Sequence, residues 1–137
     1  MKKYDMYEDP GHAWCKIPKK ELEELGIANE ISGYSYMRGD YAYLEEDGDF
    51  SKFFYALEKK HNVKIDINEF VRVHFSNKQS KIRGYAPYKV YSKDEENQLS
   101  DLRERMIKSR NWTKGAINKI KNAGLSHLIY WQTQYNF

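Results

Sequence analysis

The stretch that decides the fold is Tyr34–Asp49, YSYMRGDYAYLEEDGD. Two tyrosine-rich arms flank the triplet Arg38-Gly39-Asp40, and aromatic residues alternate along each arm as they do in β-strands. Gly39 can adopt the left-handed backbone conformation that a short hairpin loop requires. The stretch therefore predicts a β-hairpin, and we expect the triplet to form its turn rather than an integrin-binding site.

The acid run Glu45–Asp49 at the end of the hairpin has three interpretations. Asp47 and Asp49 can cap a helix over residues 50–61, where apolar residues recur at helical spacing. The same oxygens could bind a hard cation, although the run lacks the spacing of an EF-hand loop. They could also form an acidic patch for a protein partner. Helix capping is the favoured interpretation, and no metal site is expected.

The segments on either side of the hairpin predict further strands and short helices. Strands are expected over Lys2–Glu8 and Ala13–Ile17, and a helix over Lys19–Leu25 that Gly26 ends. Residues 63–67 and 70–75 are strands or extended links, and residues 81–91 are expected to form an edge strand. The predicted fold class is α+β, with a small antiparallel sheet packed with helices and followed by a C-terminal helical subdomain.

The charge balance changes near residue 91. Residues 1–91 hold 15 Lys/Arg and 15 Asp/Glu, whereas residues 92–137 hold 8 and 5. Ser92 and Glu95 match a capping box, Thr113 and Ser126 are expected to cap two further helices, and Gly124 is expected to end the second. We therefore predict an α+β domain over 1–91 and a basic helical subdomain over 92–137.

Two groups of residues are candidates for binding. The hairpin could contact a protein, because tyrosine and arginine are frequent at interface hot spots; its candidates are Tyr34, Tyr36, Arg38, Tyr41, Tyr43, Glu45, Glu46 and Asp47. The C-terminal helices could contact phosphates and stack on a base, or touch an acidic partner; their candidates are Arg103, Arg105, Lys108, Arg110, Trp112, Lys114, Lys119 and Lys121. The alternative in both groups is an ordinary packed or solvated face.

Motifs for catalysis are weak in this sequence, and an enzyme is not expected. Cys15 is the only cysteine, so no intrachain disulfide can form. His12 and Cys15 have a spacing that zinc sites use, but no second Cys/His pair completes it, and a buried structural Cys15 is favoured. The chain has no Gly-rich phosphate loop, GxSxG or HExxH motif, so no cofactor is expected. Without a long apolar run or a signal peptide, we expect a cytoplasmic protein with no membrane partner.

Several short motifs before residue 50 occur together in a known group of proteins. They are Asp9-Pro10-Gly11-His12-x-Trp14, Ile17-Pro18, Leu22-x-x-Leu25-Gly26-Ile27, Ile31-Ser32-x-Tyr34-Ser35-Tyr36 and Tyr41-x-Tyr43-Leu44-Glu45-Glu46-Asp47. On these motifs the first ninety residues, about two thirds of the chain, resemble a group of small proteins of bacteriophages and plasmids, and the basic C-terminal part lies outside the resemblance. Members commonly have cysteine at the position of Gly48, so the resemblance transfers no nucleophile or ligand to this chain.

The resemblance implies a mobile-element accessory protein that acts inside a bacterial host cell. Small cofactor-free proteins of that origin often inhibit host defence, and anti-CRISPR proteins do so by binding a large nuclease complex. We therefore expect a non-catalytic inhibitor whose partner is a large host protein or nucleoprotein complex, most specifically a CRISPR effector. The alternative is a nucleic-acid-binding accessory or regulatory protein that uses the basic C-terminal helices on RNA or DNA.

Overall fold

The structure is a computed structural model that describes residues 2–137. It divides the chain into a unit that ends at Lys89 and a unit that runs from Val90 to Phe137. The first unit contains a sheet and short helices, and the second contains only helices, as expected for an α+β chain with a C-terminal helical part. Within residues 2–137, no helix has the length and apolar character needed to cross a bilayer.

The first unit is built on a six-stranded sheet in the order β5-β1-β2-β4-β3-β6. Its strands are β1 Tyr4–Glu8, β2 Ala13–Pro18, β3 Tyr36–Arg38, β4 Tyr41–Glu45, β5 Val71–Phe75 and β6 Ala86–Pro87. Its helices are α1 Lys19–Glu24, α2 Asp49–His61 and α3 Ile67–Phe70, with single 3-10 turns at Ala28–Glu30 and Lys81–Gly84. The edge strand expected within residues 81–91 is the two-residue β6, which pairs with β3.

The expectation of an antiparallel sheet fails at one edge. β5 pairs with β1 in parallel, with Tyr4 opposite Val71 and Glu8 opposite Phe75. The physical reason is the connection: α2 and α3 form a crossover between β4 and β5, which allows β5 to run in the same direction as β4. Because β1 and β4 are both antiparallel to β2, β5 is then parallel to β1 as well. The sheet is therefore mixed.

One face of the sheet forms the core of the first unit. Tyr4 and Met6 on β1, Cys15 on β2 and Leu44 on β4 are buried, and the register places them on the same face. The Tyr4 ring meets Phe53 of α2 edge-on at a centroid distance of 5.3 Å. Burying each such large apolar side chain stabilises the fold by about 1.5–3 kcal/mol, so the helices are held on this face.

The predicted hairpin is confirmed as β3 and β4. Tyr36 pairs with Tyr43 and Arg38 with Tyr41, and Gly39 in the turn has a φ of 58°. That angle lies in the left-handed region, where a side chain would be strained. The turn is therefore set by glycine, as the sequence predicts.

The expected acidic caps of α2 are absent. The helix begins at Asp49, its N-cap is Gly48, and no side chain donates or accepts a capping hydrogen bond there. The Asp49 carboxylate is buried and instead accepts hydrogen bonds from the hydroxyls of Ser32 and Ser35, at 2.7 and 2.6 Å. The capping prediction was wrong because this side chain is used to hold a distant loop.

The second unit consists of α4 Lys93–Ser109, α5 Lys114–Asn122 and α6 Leu125–Tyr135. The Ser92 capping box and the Thr113 cap are both present. The predicted Ser126 cap is wrong: the N-cap of α6 is Gly124, two residues earlier, and Gly124 has an extended rather than left-handed backbone. The buried core of this unit comprises Leu99, Leu102, Met106, Ile120, Ala123, Leu125 and Leu128.

Candidate binding surfaces

The hairpin residues expected to bind protein largely share one face of the sheet. Directly paired residues point to the same side, and alternate residues of a strand do so too. This places Tyr36 and Arg38 together with Tyr41, Tyr43 and Glu45, opposite the helix-covered core face. Neighbouring strands add Tyr7, Trp14 and Lys16 to this side. We name this set of eight residues the aromatic face.

The centre of the aromatic face is buried by the segment that follows β5. Ile82 packs against Trp14 and Tyr43, whose exposed fractions are only 2% and 7%. The ring of Tyr85 meets Tyr43 edge-on at 5.1 Å. This burial raises the pKa of Tyr43 to about 12. Tyr43 and Trp14 therefore stabilise the unit, and contacts with a partner would fall to residues around them.

The margin of the aromatic face next to the hairpin carries cations seated over aromatic rings. Lys16 Nζ lies 4.2 Å from the centroid of Tyr41, and the Arg38 guanidinium lies 5.1 Å from the centroid of Tyr85. Tyr41 is exposed. Cation–π contacts hold these side chains in place at little cost in solvation, so this margin presents ordered aromatic and basic groups together.

The β1–β5 edge adds a group that the sequence pattern did not reveal. The Tyr7 ring stacks on His74 at 5.0 Å. Asp5 lies 2.9 Å from His74 Nε2 and 3.2 Å from Arg72 Nε, and these neighbours hold the pKa of the Asp5 carboxyl below its usual range. Because this arrangement depends on the parallel pairing of β5 with β1, no local signal could have found it.

Tyr34 lies apart from the other hairpin tyrosines. It precedes β3, and its side chain is 82% exposed. Its backbone N–H donates to Ser32 Oγ at 3.2 Å. The alternation that predicted a shared face with Tyr36 does not extend to this residue, although its exposure leaves the ring available to a partner.

At the end of β4, the acid run converges with a histidine. Ligand atoms of His12, Glu45 and Asp47 all lie within 4.8 Å of one another, and His12 Nδ1 is 3.8 Å from Glu45 Oε1. Burial and the neighbouring Asp47 raise the pKa of Glu45. Burial and the same aspartate also raise the pKa of Glu46. The predicted binding residues Glu45, Glu46 and Asp47 thus form a compact negative group beside His12.

A buried carboxylate fixes the turn that carries His12. Asp9 Oδ1 accepts hydrogen bonds from the backbone N–H groups of Gly11 and His12, both at 3.0 Å. Asp9 Oδ2 accepts from Arg83 Nε at 2.7 Å and from Ser80 N at 2.9 Å. The Arg83 contact in particular holds the pKa of Asp9 well below its usual range. The Asp-Pro-Gly turn signal indicated the local bonds, but not the distant arginine.

Four of the seven basic residues expected to bind nucleic acid have partners inside the second unit. Arg103 donates to the Ala123 carbonyl at 2.7 Å, and Arg110 donates to the Tyr135 carbonyl at the same distance. The other two form helical ion pairs, Arg105 with Asp101 at 3.5 Å and Lys108 with Glu104 at 2.6 Å. Burial lowers the pKa of Arg103. Arg103 and Arg110 therefore connect segments of the unit, whereas Arg105 and Lys108 are paired but exposed on α4.

Trp112 is also engaged internally. Its Nε1 donates to the Met106 carbonyl at 2.7 Å, and its ring meets Tyr135 edge-on at 5.4 Å. The Arg110 guanidinium lies 5.3 Å from the centroid of each of these two rings. Stacking of Trp112 on a base would have to compete with these contacts.

The remaining three lysines all lie on α5. Lys114, Lys119 and Lys121 are exposed, and none of them forms an ion pair with another described residue of the chain. Lys114 and Lys121 are seven residues apart and therefore lie on one side of the helix. The basic surface predicted over residues 103–121 is thus concentrated on a single short helix.

Two kinds of surface are therefore available, one in each unit. The aromatic face and its acidic end belong to the first unit, and the α5 lysines belong to the second.

In comparisons with known proteins, no family model, no curated protein and no solved structure matches the chain.

Proposed function

We propose that this chain is a non-catalytic protein of a bacteriophage or plasmid that inhibits a host defence nucleoprotein complex by direct binding. In its most specific form the proposal is an anti-CRISPR protein acting in the bacterial cytoplasm. The resemblance carried by the motifs before residue 50 supplies this biological context. The aromatic face of the first unit supplies the physical argument for binding.

The observation that carries the proposal is the margin of the aromatic face. Tyr41 is exposed beside Lys16, and Arg38 lies against the ring of Tyr85. Side chains of these types dominate binding energy at many protein interfaces, because each buries a large area and still offers a polar group. Since cation–π contacts already order them, less conformational entropy is lost on binding.

The proposal is tested by affinity purification of the full-length tagged chain from a bacterium that carries an active CRISPR system. We expect the effector complex to co-purify and its target cleavage to be inhibited. A Tyr41→Ala variant should lose at least tenfold in affinity for the complex, because a hot-spot tyrosine contributes about 2 kcal/mol or more. The matched control is Tyr55→Ala, an exposed tyrosine on α2, which should bind as the wild type does.

This function is rejected if no nuclease or other defence component is recovered from hosts with several defence systems. Retained affinity in Tyr41→Ala would instead leave the function in place and reject the margin of the aromatic face as its interface.

A second candidate function is direct binding of DNA or RNA by the second unit. It is favoured by one observation, the three exposed lysines of α5 that have no ion-pair partner within the described chain. Lysines in this state can neutralise phosphates and release counterions. This function predicts affinity for free nucleic acid that weakens as salt rises.

Charge reversal separates the two functions. Lys114→Glu/Lys121→Glu should weaken binding of a fluorescent oligonucleotide. It should also make the negative slope of log K against log salt shallower by about 2, because about one phosphate contact is lost per lysine. Lys93→Glu/Lys108→Glu makes the same change of net charge on α4 and should retain the slope. Equal losses in both variants would indicate attraction by net charge alone and reject an α5 site.

A further inference from the structure

The group formed by His12, Glu45 and Asp47 is unlike an ordinary acidic surface patch. It combines one imidazole with two carboxylates, and its ligand atoms lie within 4.8 Å of one another. Glu45 ends β4, and Asp47 directly precedes the Gly48 N-cap of α2 without making a capping hydrogen bond. From the sequence, a cation site was an alternative to helix capping for this acid run. The structure shows no capping hydrogen bond from the run at the start of α2.

The geometry is close to that of a bound transition metal. A zinc ion takes nitrogen and carboxylate oxygen at about 2.0–2.2 Å, so two of its ligand atoms lie roughly 3–3.5 Å apart. His12 Nδ1 and Glu45 Oε1 are 3.8 Å apart. Because the three ligand atoms lie within 4.8 Å of one another, reaching this spacing requires side-chain shifts of up to about 1–2 Å. His12 and Asp47 are exposed and free to make these shifts.

The backbone that carries these ligands is held from several sides. The His12 N–H donates to Asp9, whose other oxygen accepts from Arg83. Glu45 is the last residue of β4 and pairs with Trp14. The N–H of Glu46 donates to the Ala13 carbonyl at 3.0 Å, which fixes the turn before Asp47. The ligands therefore come from two chain segments that are already in register.

The local charge favours a cation. Glu46 lies near enough to interact electrostatically with Glu45, Asp47 and His12, so a third carboxylate accompanies the group. Among residues 2–137, His12 is the only basic side chain in ion-pair range of Glu45, and Asp47 and Glu46 have no basic partner of that kind. Like charges this close repel one another, and a bound divalent ion would offset that repulsion.

We propose that His12, Glu45 and Asp47 form a binding site for a divalent transition-metal ion, with Zn²⁺ as the preferred occupant. The imidazole selects against Mg²⁺ and Ca²⁺, which prefer all-oxygen ligand sets. Three protein ligands leave at least one position for water or for a side chain of a partner. The site departs from the expectation that the chain binds no metal, and it does not depend on the inhibitor function proposed above.

The test is isothermal titration of the chelator-treated full-length protein with ZnCl₂ and, separately, MgCl₂. We expect saturable binding of one Zn²⁺ per chain and at least tenfold weaker binding of Mg²⁺. His12→Ala and Asp47→Asn should each weaken Zn²⁺ binding at least tenfold. His127→Ala removes an exposed histidine of α6 and should leave it unchanged.

A second measurement uses the unaltered protein, so it holds even if a variant misfolds. Histidine side-chain NMR signals are recorded during the Zn²⁺ titration, and the His12 ring should shift at one equivalent before those of His61 and His127. The proposal is rejected if no saturable binding occurs, if the His12 signals stay fixed, or if both site variants bind Zn²⁺ as tightly as the wild type.

Discussion

At the scale of single residues, a buried hydroxyl organises the start of the hairpin. Ser35 is fully buried; its Oγ donates to the Asp49 carboxylate at 2.6 Å and accepts from the Glu45 N–H at 3.0 Å. One side chain thus joins the loop before β3, the end of β4 and the first turn of α2. Asp49 is charged and buried, so its acceptors must be satisfied for the fold to be stable.

Ser35→Ala is expected to lower the free energy of unfolding by about 1.5–3 kcal/mol, because it removes a hydrogen bond to a buried charged group. Urea unfolding followed by exposure of the Cys15 thiol measures the change in this unit. The control is Ser51→Ala, an exposed serine on α2, which should change stability by less than about 0.5 kcal/mol. Equal effects of the two variants would show that the Ser35–Asp49 contact contributes nothing net.

Cys15 provides the probe for that experiment because its thiol is inaccessible. The side chain is 0% exposed, and burial raises its pKa to about 12. Since the thiolate is the reactive form, we expect negligible reaction with Ellman's reagent at pH 8 in the folded protein and one equivalent in guanidinium chloride. Rapid reaction in native buffer would contradict the burial of β2.

At the scale of elements, the sequence predicted the features that depend on residues close to one another in the chain. The Gly39 turn, the Thr113 cap and the Ser92–Glu95 capping box each depend on residues within a few positions of one another, and all three are present. The shared face of Tyr36, Arg38, Tyr41 and Tyr43 likewise follows from strand alternation.

The features that the sequence did not predict depend on distant partners. β5 is placed by its parallel pairing with β1, and the Asp49 carboxylate by serines 14 and 17 positions away. His12 meets Asp47 only because the β1–β2 turn lies beside the end of β4. A single sequence carries no spacing signal for such contacts, so the acidic end of the aromatic face could not be assembled from it.

The capping box of α4 gives a prediction at this scale. Glu95 N donates to Ser92 Oγ at 3.1 Å and Ser92 N donates to Glu95 Oε1 at 3.0 Å. Ser92→Ala should destabilise the second unit by about 0.5–2 kcal/mol, because the helix loses a satisfied N–H at its start. Thermal unfolding followed by tryptophan fluorescence measures this change.

Ser100→Ala is the control for the cap, since Ser100 is exposed in the middle of the same helix. Alanine has the higher helix propensity, so this variant should be neutral or slightly stabilising. If the cap stabilises the helix, the Ser92→Ala variant must be less stable than the Ser100→Ala variant. Equal stability of the two variants would show that solvent replaces the cap without loss.

At the scale of the whole molecule, each unit has its own buried cluster. The first is centred on the sheet and α1–α3, and the second on the facing sides of α4, α5 and α6. A helical unit as short as Val90–Phe137 buries a small fraction of its surface, so it is the less stable of the two by size alone. The binding surfaces follow the same division, which makes their contributions separable by truncation.

A chain ended after Lys89 should therefore fold by itself, because all six strands and the helices that cover them are retained. We expect its Cys15 to stay as protected from Ellman's reagent as in the full chain, and its urea unfolding to remain cooperative. If the aromatic face carries the inhibitory contact, this fragment should also bind the effector complex while losing the salt-dependent affinity for free nucleic acid. Rapid labelling of Cys15 would contradict independent folding. If Cys15 of the fragment is protected from Ellman's reagent but the fragment no longer binds the complex, the inhibitory contact must lie in the second unit.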